Sequence, residues 1–566
     1  MSRSQHFNET LRALWPWLPL WLLLALLAIF ASGPMPLYST RTLAVAWEMW
    51  NGHHWIVPYL NGAPYSHKVP LLFWMIHAGW FVFGVNDIWP RVLEVLIGAA
   101  QLILVMLLAQ RLFAERPWIA RTTPWALLGL CYGFMFGLQI MYEVLLAVWV
   151  LAALLCLTPR HHRSAPRWWW FGLCVGLGLL TKGPVMLLHV VFPWLLGPLW
   201  NAWAREHRGR WYAFGLLALL GGCAMLAAWA WPAIHLGGDV YAHKLLVKQT
   251  AGRLVDAFIH EQPWYWYVLC VPVLLFPFSL WPRAWVALAA LRRPLDDGVR
   301  LLLCWILPVL LAFSIISSKQ VYYLIPELGG AVMLVAAALV RLREDHPRLA
   351  SHAWLGTWPV AIAMFVFAGF LLALPALTEN RTLVAHWAID AARVSPYFAL
   401  VYLVLGVLLL LRGRGELRRV ALAGLLGIFA ANSLFVLTQW QNYDMLPAAR
   451  LLGHADAAGR PIADLGQYDG QYHFLGRLQH PIERVQRHDL AWWARQHPDG
   501  VVITTPRHLT AADKHYALLV QPFRSDWVVL WDAASLAALR NGQRPPEPAR
   551  STQLFPHEYW RYTQTP

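Results

Sequence analysis

The chain has 566 residues, of which 58% are hydrophobic and only 13% are charged. With 35 tryptophans and a mean hydropathy of +0.46, this composition excludes a water-soluble globular protein. The net charge of +15 comes mostly from arginines in the loops between apolar runs, so it does not indicate nucleic-acid binding.

Long apolar runs recur from Trp15 to about Trp440, and each is near the ~20 residues that a spanning helix needs. They predict an α-helical integral membrane protein with about thirteen transmembrane helices. All the cysteines fall within these runs, so we expect neither disulfides nor a thiolate metal site. The candidate spans lie near residues 15–32, 89–111, 122–138, 140–158, 168–182, 184–203, 211–235, 265–290, 301–316, 321–340, 353–374, 396–411 and 420–438.

Basic residues predict the orientation of these spans. Arg3 and Arg12 precede the first span, and alternate loops carry arginine clusters such as Arg160, Arg163 and Arg167. Because such clusters mark the cytoplasmic ends of spans, we predict a cytoplasmic N-terminus and, with an odd number of spans, a C-terminal tail outside. No small-residue cleavage signal follows the first run, which favours an anchor over a removed signal peptide.

The composition changes near residue 440, which predicts a membrane domain at 1–440 and a small α/β domain outside the membrane at 441–566. In the tail, apolar stretches at 461–467, 481–485, 500–505 and 527–531 predict strands, and residues 489–497 predict a helix. The first loop, from residue 33 to about 87, holds an amphipathic stretch at 42–50 and a short apolar stretch at 71–84. Both stretches favour helices lying along the membrane interface.

The first loop ends in Tyr65-Ser66-His67-Lys68-Val69-Pro70, where a lysine beside tyrosines and after Arg41 indicates a site for an anionic head group. Two alternatives stay open. Lys68 could be an interfacial lysine whose stem lies along apolar surface. Arg41 could form an ordinary surface pair with Glu48, seven residues later on the same helix face.

Two later segments add basic residues on the same predicted side. The loop at 237–263 carries Lys248 and Arg253, for which ordinary loop charges are an equal alternative. The turn at 317–326 carries Lys319 followed by Tyr322 and Tyr323. Because topology does not call for a lysine there, Lys319 strengthens the interpretation as an anion site.

Among the acids, Glu143 is the strongest candidate, since it stands at the outer start of the fourth predicted span in otherwise apolar sequence. Ionisable residues inside membranes are costly and mark function, although a structural partner for a buried arginine is the alternative. Glu327, just inside the tenth span, is a weaker candidate. A divalent metal near His67 is left open, but a single histidine is not a metal site.

Several of these residues resemble a known family. Over about residues 15–440 the chain resembles bacterial membrane glycosyltransferases with the GT-C fold, related to protein O-mannosyltransferases, and in particular the aminoarabinose–lipid A transferases. The matching segments are Arg41 with Trp47-Glu48-Met49, residues 55–62, Tyr65 with Lys68-Val69-Pro70-Leu71, residues 178–184, and Ser318-Lys319 with Tyr323 and Pro326.

The resemblance implies an inverting transfer, in which an acceptor attacks the anomeric carbon of a polyprenyl-phosphate sugar and the phosphate leaves. Lys68 and Arg253 would hold that phosphate, where fixed cations stabilise the charge that develops on the leaving oxygen. The candidate catalytic residues are Arg41, Lys68 and Glu143, and the candidate donor-binding residues are Tyr65, His67, Lys68, Lys248, Arg253, Lys319, Tyr322 and Tyr323.

The chain departs from the family in the first loop. Relatives usually carry an acidic pair three residues before the arginine that matches Arg41, but here those positions are Tyr38 and Ser39, and His67 stands where many relatives have glutamate. Three explanations remain open: Glu143 acts alone, the acceptor is already an anion that needs no deprotonation, or the chain binds a lipid-linked sugar without transferring it.

We therefore expect a glycosyltransferase of the bacterial inner membrane that moves a sugar from undecaprenyl phosphate to a lipid or cell-envelope glycan outside the cytoplasm. Lipid A or lipopolysaccharide core is the favoured acceptor, and the expected partners are the lipid donor, this acceptor and membrane lipids. The alternative is a non-catalytic binder of lipid-linked sugar or a transporter. No convincing nucleotide-binding motif occurs, so no nucleotide cofactor is expected.

Overall fold

The computed structural model describes residues 17–131, 139–158, 164–246, 261–291, 294–378, 386–411, 413, 415–466 and 468–545. Lys248 and Arg253, two predicted donor-binding residues, lie outside these residues. The chain divides into two compact units: the first is Met1–Ala31, Ser66–Met75 and Val85–Leu437, and the second is Ser32–Tyr65, Ile76–Gly84 and Thr438–Pro566. The second unit thus takes in parts of the first loop besides the tail, and the boundary predicted at residue 440 stays a prediction.

Helices dominate the chain up to Gln439. In order, the elements are α1 (Leu18–Phe30), α2 (Ser39–Asn51), β1 (Tyr59–Leu60), β2 (Ala63–Pro64), α3 (Leu71–Phe83), α4 (Ile88–Leu112), α5 (Pro117–Leu128), α6 (Tyr142–Leu157), α7 (Trp168–Lys182), α8 (Val185–Leu195), α9 (Gly197–Trp200), α10 (Ala202–Glu206), α11 (Arg208–His243), α12 (Trp266–Leu274), α13 (Pro282–Ala289), α14 (Asp297–Ile315), α15 (Ile325–Asp345), α16 (Pro347–Ala350), α17 (Trp358–Leu377), α18 (His386–Leu410) and α19 (Glu416–Gln439). Strands follow in the tail, between further helices: α20 (Leu446–Ala457), β3 (Ile462–Asp464), α21 (His473–Gly476), β4 (Glu483–Arg484), α22 (Leu490–Gln496), β5 (Val501–Thr504), α23 (Ala511–Tyr516), β6 (Leu519–Phe523), β7 (Asp526–Asp532) and α24 (Ala533–Arg540).

Within the described residues, seven helices are long and apolar enough to cross a membrane. The chain is therefore a multi-pass helical membrane protein, while the count of about thirteen spans stays a prediction. Helices also occupy both stretches predicted to lie at the interface, 42–50 and 71–84. The seven are Ile88–Leu112, Arg208–Leu246, Asp297–Ile315, Val321–Asp345, Trp358–Leu377, Ala391–Leu410 and Glu416–Ala457.

The run at 265–290, predicted as one span, is interrupted in the structure. Helix α12 ends at Leu274, a short 3-10 helix covers Phe278–Leu280, and α13 begins at Pro282. Prolines in this run remove backbone N–H donors and prevent a continuous helix. Hydropathy alone does not register these interruptions, because every fragment remains apolar.

In the first unit, α7 packs against α6 on one side and α11 on another. Small residues allow the close approach to α11. A Cβ at Gly172 would lie 2.8 Å from the carbonyl oxygen of Ala218, and one at Gly222 would lie 2.8 Å from the side chain of Val175. Glycines at such crossings let helix backbones pack closely where no hydrophobic effect drives association. This packing fixes the C-terminal end of α7, where a lysine of the candidate site stands.

The second unit contains a β-hairpin formed by β1 and β2. Asn61 and Gly62 form its turn with φ angles of +55° and +73°, a left-handed geometry that these two residue types favour. The carboxylate of Glu48 in α2 accepts the backbone N–H of Asn61 at 2.6 Å and that of Gly62 at 2.9 Å. Glu48 thus holds the turn, and burial raises the pKa of its carboxyl group.

The tail of the second unit forms a five-stranded sheet in the order β4-β3-β5-β7-β6. Strand β3 pairs parallel with β4 and β5, whereas β7 pairs antiparallel with β5 and β6. Val501 and Ile503 belong to one apolar core and Val502 to the other. Because both faces of the central strands β5 and β7 are covered, these strands are apolar runs rather than alternating patterns.

The strands and the helix predicted in the tail are confirmed at β3, β4, β5, β7 and α22. Strand β6 was not predicted, because Pro522 lies within it and proline disfavours a strand. The strand tolerates this proline because β6 lies at the edge of the sheet, where a missing ladder donor costs little.

His473 lies at the centre of a buried polar cluster in the second unit. It is 2% exposed, its Nδ1 is hydrogen-bonded to the hydroxyl of Tyr468, and its Nε2 lies 3.7 Å from Glu48. Burial lowers the pKa of this imidazole to about 4, with the charge of Asp456 opposing the shift.

This cluster predicts a loss of stability in acid. The unfolded chain binds a proton at His473 near pH 6.5, whereas the folded chain resists protonation down to about pH 4. Stability should therefore be complete above pH 6.5 and should fall by about 3 kcal/mol between pH 6.5 and 4. Glu48, whose pKa is raised, offsets part of this loss when it takes up its own proton.

The measurement is hydrogen exchange on peptides from residues 462–504 of the full-length protein, corrected for the intrinsic exchange rate at each pH. In His473→Gln, the corrected exchange rate of these peptides should depend less on pH than it does in the wild type. His515→Gln is the matched control, since His515 is exposed on α23. An unchanged slope in His473→Gln would show that His473 is not the group responsible.

Candidate active site

Helices α6 and α7 place an acid and a base against each other. Glu143 lies in the first turn of α6, where the helix dipole favours a negative charge, and Lys182 ends α7, where it favours a positive one. Lys182 Nζ lies 2.8 Å from Glu143 Oε1, and their side chains are 11% and 1% exposed. Removing either partner would leave the other charge buried and unpaired, which is strongly unfavourable.

Only one oxygen of Glu143 is committed to this ion pair. Glu143 Oε2 is buried and has no hydrogen-bond partner within the part of the chain that the structure describes. A buried carboxylate oxygen of this kind is available to a hydroxyl or amine that enters the site. The acid that the sequence singled out is therefore both held in place and chemically available.

Lys68 lies next to this pair. Its Nζ stands 4.4 Å from the ring centroid of Tyr142, the residue directly before Glu143. Its charge lies close enough to act on Glu143 electrostatically. Lys182 Nζ in turn stands 4.5 Å from the ring of Tyr323 and 6.0 Å from that of Tyr322. Two ammonium groups are thus arranged around one carboxylate, each over an aromatic face.

Lys68, Lys182 and Tyr323 line a cavity of about 330 Å³ in the first unit, and Glu143 contacts it through Lys182 rather than as a lining residue. Its polar lining comprises Ser66, His67, Lys68, Lys182, Ser318 and Tyr323. The remaining lining is apolar: Val69, Gly183, Pro184, Val185, Leu188, Leu226, Trp229, Ala230, Leu245, Leu246, Phe313 and Ile316. A cationic end joined to an apolar wall suits a ligand with an anionic head and a hydrocarbon chain.

Lys319 has a structural position in the turn that borders this cavity. Its ammonium donates to the carbonyl oxygens of Gln262 at 2.8 Å and Ile316 at 2.6 Å, and the residue is 3% exposed. The second of these carbonyls follows the end of α14, where the helix leaves acceptors unsatisfied. Lys319 therefore fixes the segment that carries Ser318, and it is not itself among the residues that line the cavity.

Glu327, the weaker acidic candidate, forms a separate buried pair. Its Oε1 lies 2.5 Å from Nδ1 of His189, and neither residue is more than 5% exposed. The ring of His189 lies 5.7 Å from that of Phe313, which lines the cavity from the other side. This pair stands behind the cavity wall rather than in it.

The structure thus brings together part of the predicted set. His67, Lys68 and Tyr323 line one cavity, with Glu143 and Tyr322 beside Lys182 at its polar end. Arg41 and Tyr65 belong to the second unit. Lys182 was missed, although its signal was present: a lysine closing an apolar span on the same predicted side as Lys68.

No group of three or more histidine, cysteine, aspartate or glutamate side chains within the described ranges is arranged to hold a metal ion. Around the cavity, the other polar residues are two lysines, two serines and a tyrosine rather than further histidines or carboxylates. The described lining therefore does not fit a divalent metal at His67, and no step of the chemistry below is assigned to one.

Comparisons with known proteins show which sequences and which fold the chain resembles. The family described as dolichyl-phosphate-mannose-protein mannosyltransferase matches residues 67–230, which include Lys68, Glu143 and Lys182. The undecaprenyl phosphate-alpha-4-amino-4-deoxy-L-arabinose arabinosyl transferase of Pseudomonas paraeruginosa is 30% identical over 358 residues, covering 60% of this chain and 62% of the relative. The enzyme of the same description from Pseudomonas aeruginosa is 32% identical over 320 residues, covering 54% and 56%.

Among solved structures, ArnT from Cupriavidus metallidurans bound to undecaprenyl phosphate aligns with a TM-score of 0.68 at 20% identity. The alignment covers 91% of this chain and 98% of that chain. The chain has the GT-C fold. The resemblance stated from the motifs is thereby confirmed for the fold, while the chain spans less than two thirds of the length of the curated relatives it matches.

Proposed function

We propose that this protein is an inverting glycosyltransferase that takes a sugar from undecaprenyl phosphate and places it on a lipid or cell-envelope glycan. The observation that carries the proposal is the cavity in which Lys68 and Lys182 face an apolar wall, with the buried carboxylate of Glu143 paired to Lys182. The relatives are named for this kind of donor and for 4-amino-4-deoxy-L-arabinose, so this sugar is the first to test.

In the proposed complex, the phosphate of the donor lies at the cationic end of the cavity and the polyprenyl chain lies along the apolar wall. Lys68 is the proposed main phosphate ligand, because it lines the cavity and its ammonium lies over the ring of Tyr142. Lys182 is largely neutralised by Glu143 and contributes a weaker attraction. Lys319 acts indirectly, by holding the turn that carries Ser318.

The proposed reaction breaks the bond between the anomeric carbon and the phosphate oxygen, and the electron pair leaves with the phosphate. A new bond forms between the anomeric carbon and the acceptor oxygen on the opposite face, which inverts the configuration. Lys68 and Lys182 stabilise the negative charge as it develops on the leaving oxygen. Polyprenyl phosphate is the second product.

Glu143 is proposed to receive the acceptor proton through Oε2 when the acceptor is a hydroxyl. Because Tyr38 and Ser39 stand where the family's first loop carries acids, Glu143, paired with Lys182, is the base that we propose. A phosphate acceptor, as on lipid A, would already be an anion and would need no base. In that case we propose that Glu143 holds Lys182 in place through their ion pair and helps to orient the sugar.

The proposed location is the bacterial inner membrane, with the N-terminus in the cytoplasm and the C-terminal domain in the periplasm. The arginine clusters of alternate loops support this orientation. The lipid or lipopolysaccharide acceptor is then met on the periplasmic side, where lipid-linked sugars are presented. The competing function is non-catalytic binding of lipid-linked sugar. It is motivated by the absence of an acidic residue at positions 38 and 39 of the first loop.

The test is transfer by the purified full-length protein in lipid nanodiscs, supplied with undecaprenyl-phosphate-linked 4-amino-4-deoxy-L-arabinose and lipid A. We expect mass spectrometry to detect a glycosylated lipid A and a matching amount of free undecaprenyl phosphate. Tight donor binding with no product from any envelope acceptor would instead support the binder.

A further inference from the structure

The second unit joins one face of α2 to a loop of the C-terminal tail. Arg41, Ala44 and Glu48 recur at helical spacing, so they lie on one face of α2. Arg41 Nη2 lies 3.2 Å from Asp469 Oδ1, and Arg41 Nε donates to the backbone oxygen of Asp469 at 3.2 Å. Two nitrogens of one guanidinium are thus held by one residue from the tail.

The loop is shaped to make this contact. Gly470 adopts a φ of +84°, and a Cβ there would lie 3.0–3.2 Å from Leu60, Ala44 and Arg41. Only glycine combines that backbone angle with so close an approach. The backbone N–H of Asp469 donates to Oε1 of the buried Gln471 at 2.7 Å, which fixes the loop beneath the carboxylate.

The ion pair is not what holds these segments together. Trp47 Nε1 donates to the backbone oxygen of Leu478 at 2.7 Å in a buried contact, and the ring of Trp80 stacks on that of Phe474 at 5.5 Å. The side chains of Arg41 and Asp469 are 34% and 31% exposed, and pairs this exposed add about 1 kcal/mol or less to stability. The pair therefore orients Arg41 far more than it stabilises the fold.

That orientation leaves part of the guanidinium available. Nε and Nη2 of Arg41 are engaged, whereas Nη1 makes no hydrogen bond to any residue that the structure describes. A guanidinium held on one edge presents its other edge as a fork of N–H donors, a geometry that matches a phosphate.

We propose that Asp469 is a positioning residue that orients Arg41 to bind a phosphate group of one of the two lipid substrates. The C-terminal tail then contributes directly to substrate handling through the loop at 468–473. This inference rests on the proposed function, which supplies two sources of phosphate: the undecaprenyl phosphate of the donor and the phosphorylated glycolipid acceptor.

The experiment measures binding separately from turnover, with full-length protein in nanodiscs. One arm titrates undecaprenyl phosphate, and the other titrates lipid A in its phosphorylated and dephosphorylated forms. The variants are Arg41→Ala, Asp469→Asn, Asp469→Glu and the double variant. Asp532→Asn is the matched control, since it breaks a comparable exposed pair, 2.6 Å from Arg460, in the same unit.

In one of the two arms, we expect Asp469→Asn to weaken binding about ten-fold, because Arg41 is no longer oriented and loses one charge-assisted contact with the phosphate. Tighter binding, the result expected if Asp469 only neutralises Arg41, would overturn the inference. Asp469→Glu should recover most of this loss, and the double variant should bind no more weakly than Arg41→Ala alone. The arm that responds identifies the source of the phosphate, and dephosphorylated lipid A should be insensitive to every variant.

Equal binding by Asp469→Asn and Asp532→Asn in both arms would overturn the inference, as would additive losses in the double variant. These results stand whether or not transfer occurs. A wild-type protein that binds both lipids but forms no product would refute the proposed transfer, while the binding arms would still decide the role of Asp469.

Discussion

Lys68→Ala should lower the transfer rate at least about 100-fold, the effect of removing one preorganised group that stabilises developing negative charge. The physical reason is the position of its ammonium at the polar end of the cavity, over the ring of Tyr142 and beside the Glu143–Lys182 pair. The cation–π interaction with Tyr142 that the substitution removes from the fold is worth about 1–2 kcal/mol. Thermal unfolding should therefore change little while activity is lost.

The measurement is initial transfer rate together with the affinity for undecaprenyl phosphate. Both should fall in Lys68→Ala, and Lys68→Arg should retain donor binding because it keeps the positive charge. Lys514→Ala is the matched control, since Lys514 is an exposed lysine on α23. Wild-type kinetics in Lys68→Ala would remove Lys68 from the site and with it the main support for the donor phosphate position.

Glu143→Gln should separate binding from chemistry. The substitution keeps the volume of the side chain but removes the negative charge 2.8 Å from Lys182. Lys182 and Lys68 would then attract phosphate more strongly, so the affinity for undecaprenyl phosphate should be retained or increased. The transfer rate to a hydroxyl acceptor should fall about 100-fold or more, the range expected for loss of a general base.

Comparing transfer to a hydroxyl acceptor with transfer to a phosphate acceptor tests whether Glu143 acts as the general base. If Glu143 acts as the base, only transfer to the hydroxyl should depend on its charge, because a phosphate brings no proton that must be removed. Full activity of Glu143→Gln with both acceptors would exclude a catalytic role. Some loss of thermal stability is expected in either case, because Lys182 is left buried and unpaired. Loss of donor binding together with transfer to both acceptors would instead identify Glu143 as the structural partner of Lys182.

Much of the helical character of the membrane unit could be predicted from the sequence, because the length of an apolar run is a local signal. Lys68 and Glu143 were predicted for the same reason: each is a charge in a segment where charge is costly. Lys182 carried the same signal at the end of α7, but it could be placed only when packing brought α6 and α7 side by side. Pairing across helices is a tertiary property that spacing does not encode.

The contact between the C-terminal tail and Arg41 could not be predicted from the sequence. Asp469 is one charged residue in a turn of the tail, separated from Arg41 by 428 residues. Its pairing depends on Gly470 and on the packing of Trp47 and Phe474, none of which is visible as a motif. Lys319 shows the converse: the predicted topology did not call for a lysine in its turn, which suggested an anion site, whereas its ammonium donates to two backbone carbonyls.

The central claim, transfer of a sugar from a polyprenyl phosphate to the cell envelope, is tested most directly in the host. The measurement is mass spectrometry of lipid A and of the polyprenyl-phosphate pool, with the gene intact, deleted, and restored as wild type or as Lys68→Ala. We expect deletion to abolish one envelope modification and to accumulate a lipid-linked sugar, and only the wild-type gene to reverse both changes. Unchanged pools under inducing and non-inducing conditions would contradict transfer and would favour a protein that binds the lipid-linked sugar without using it.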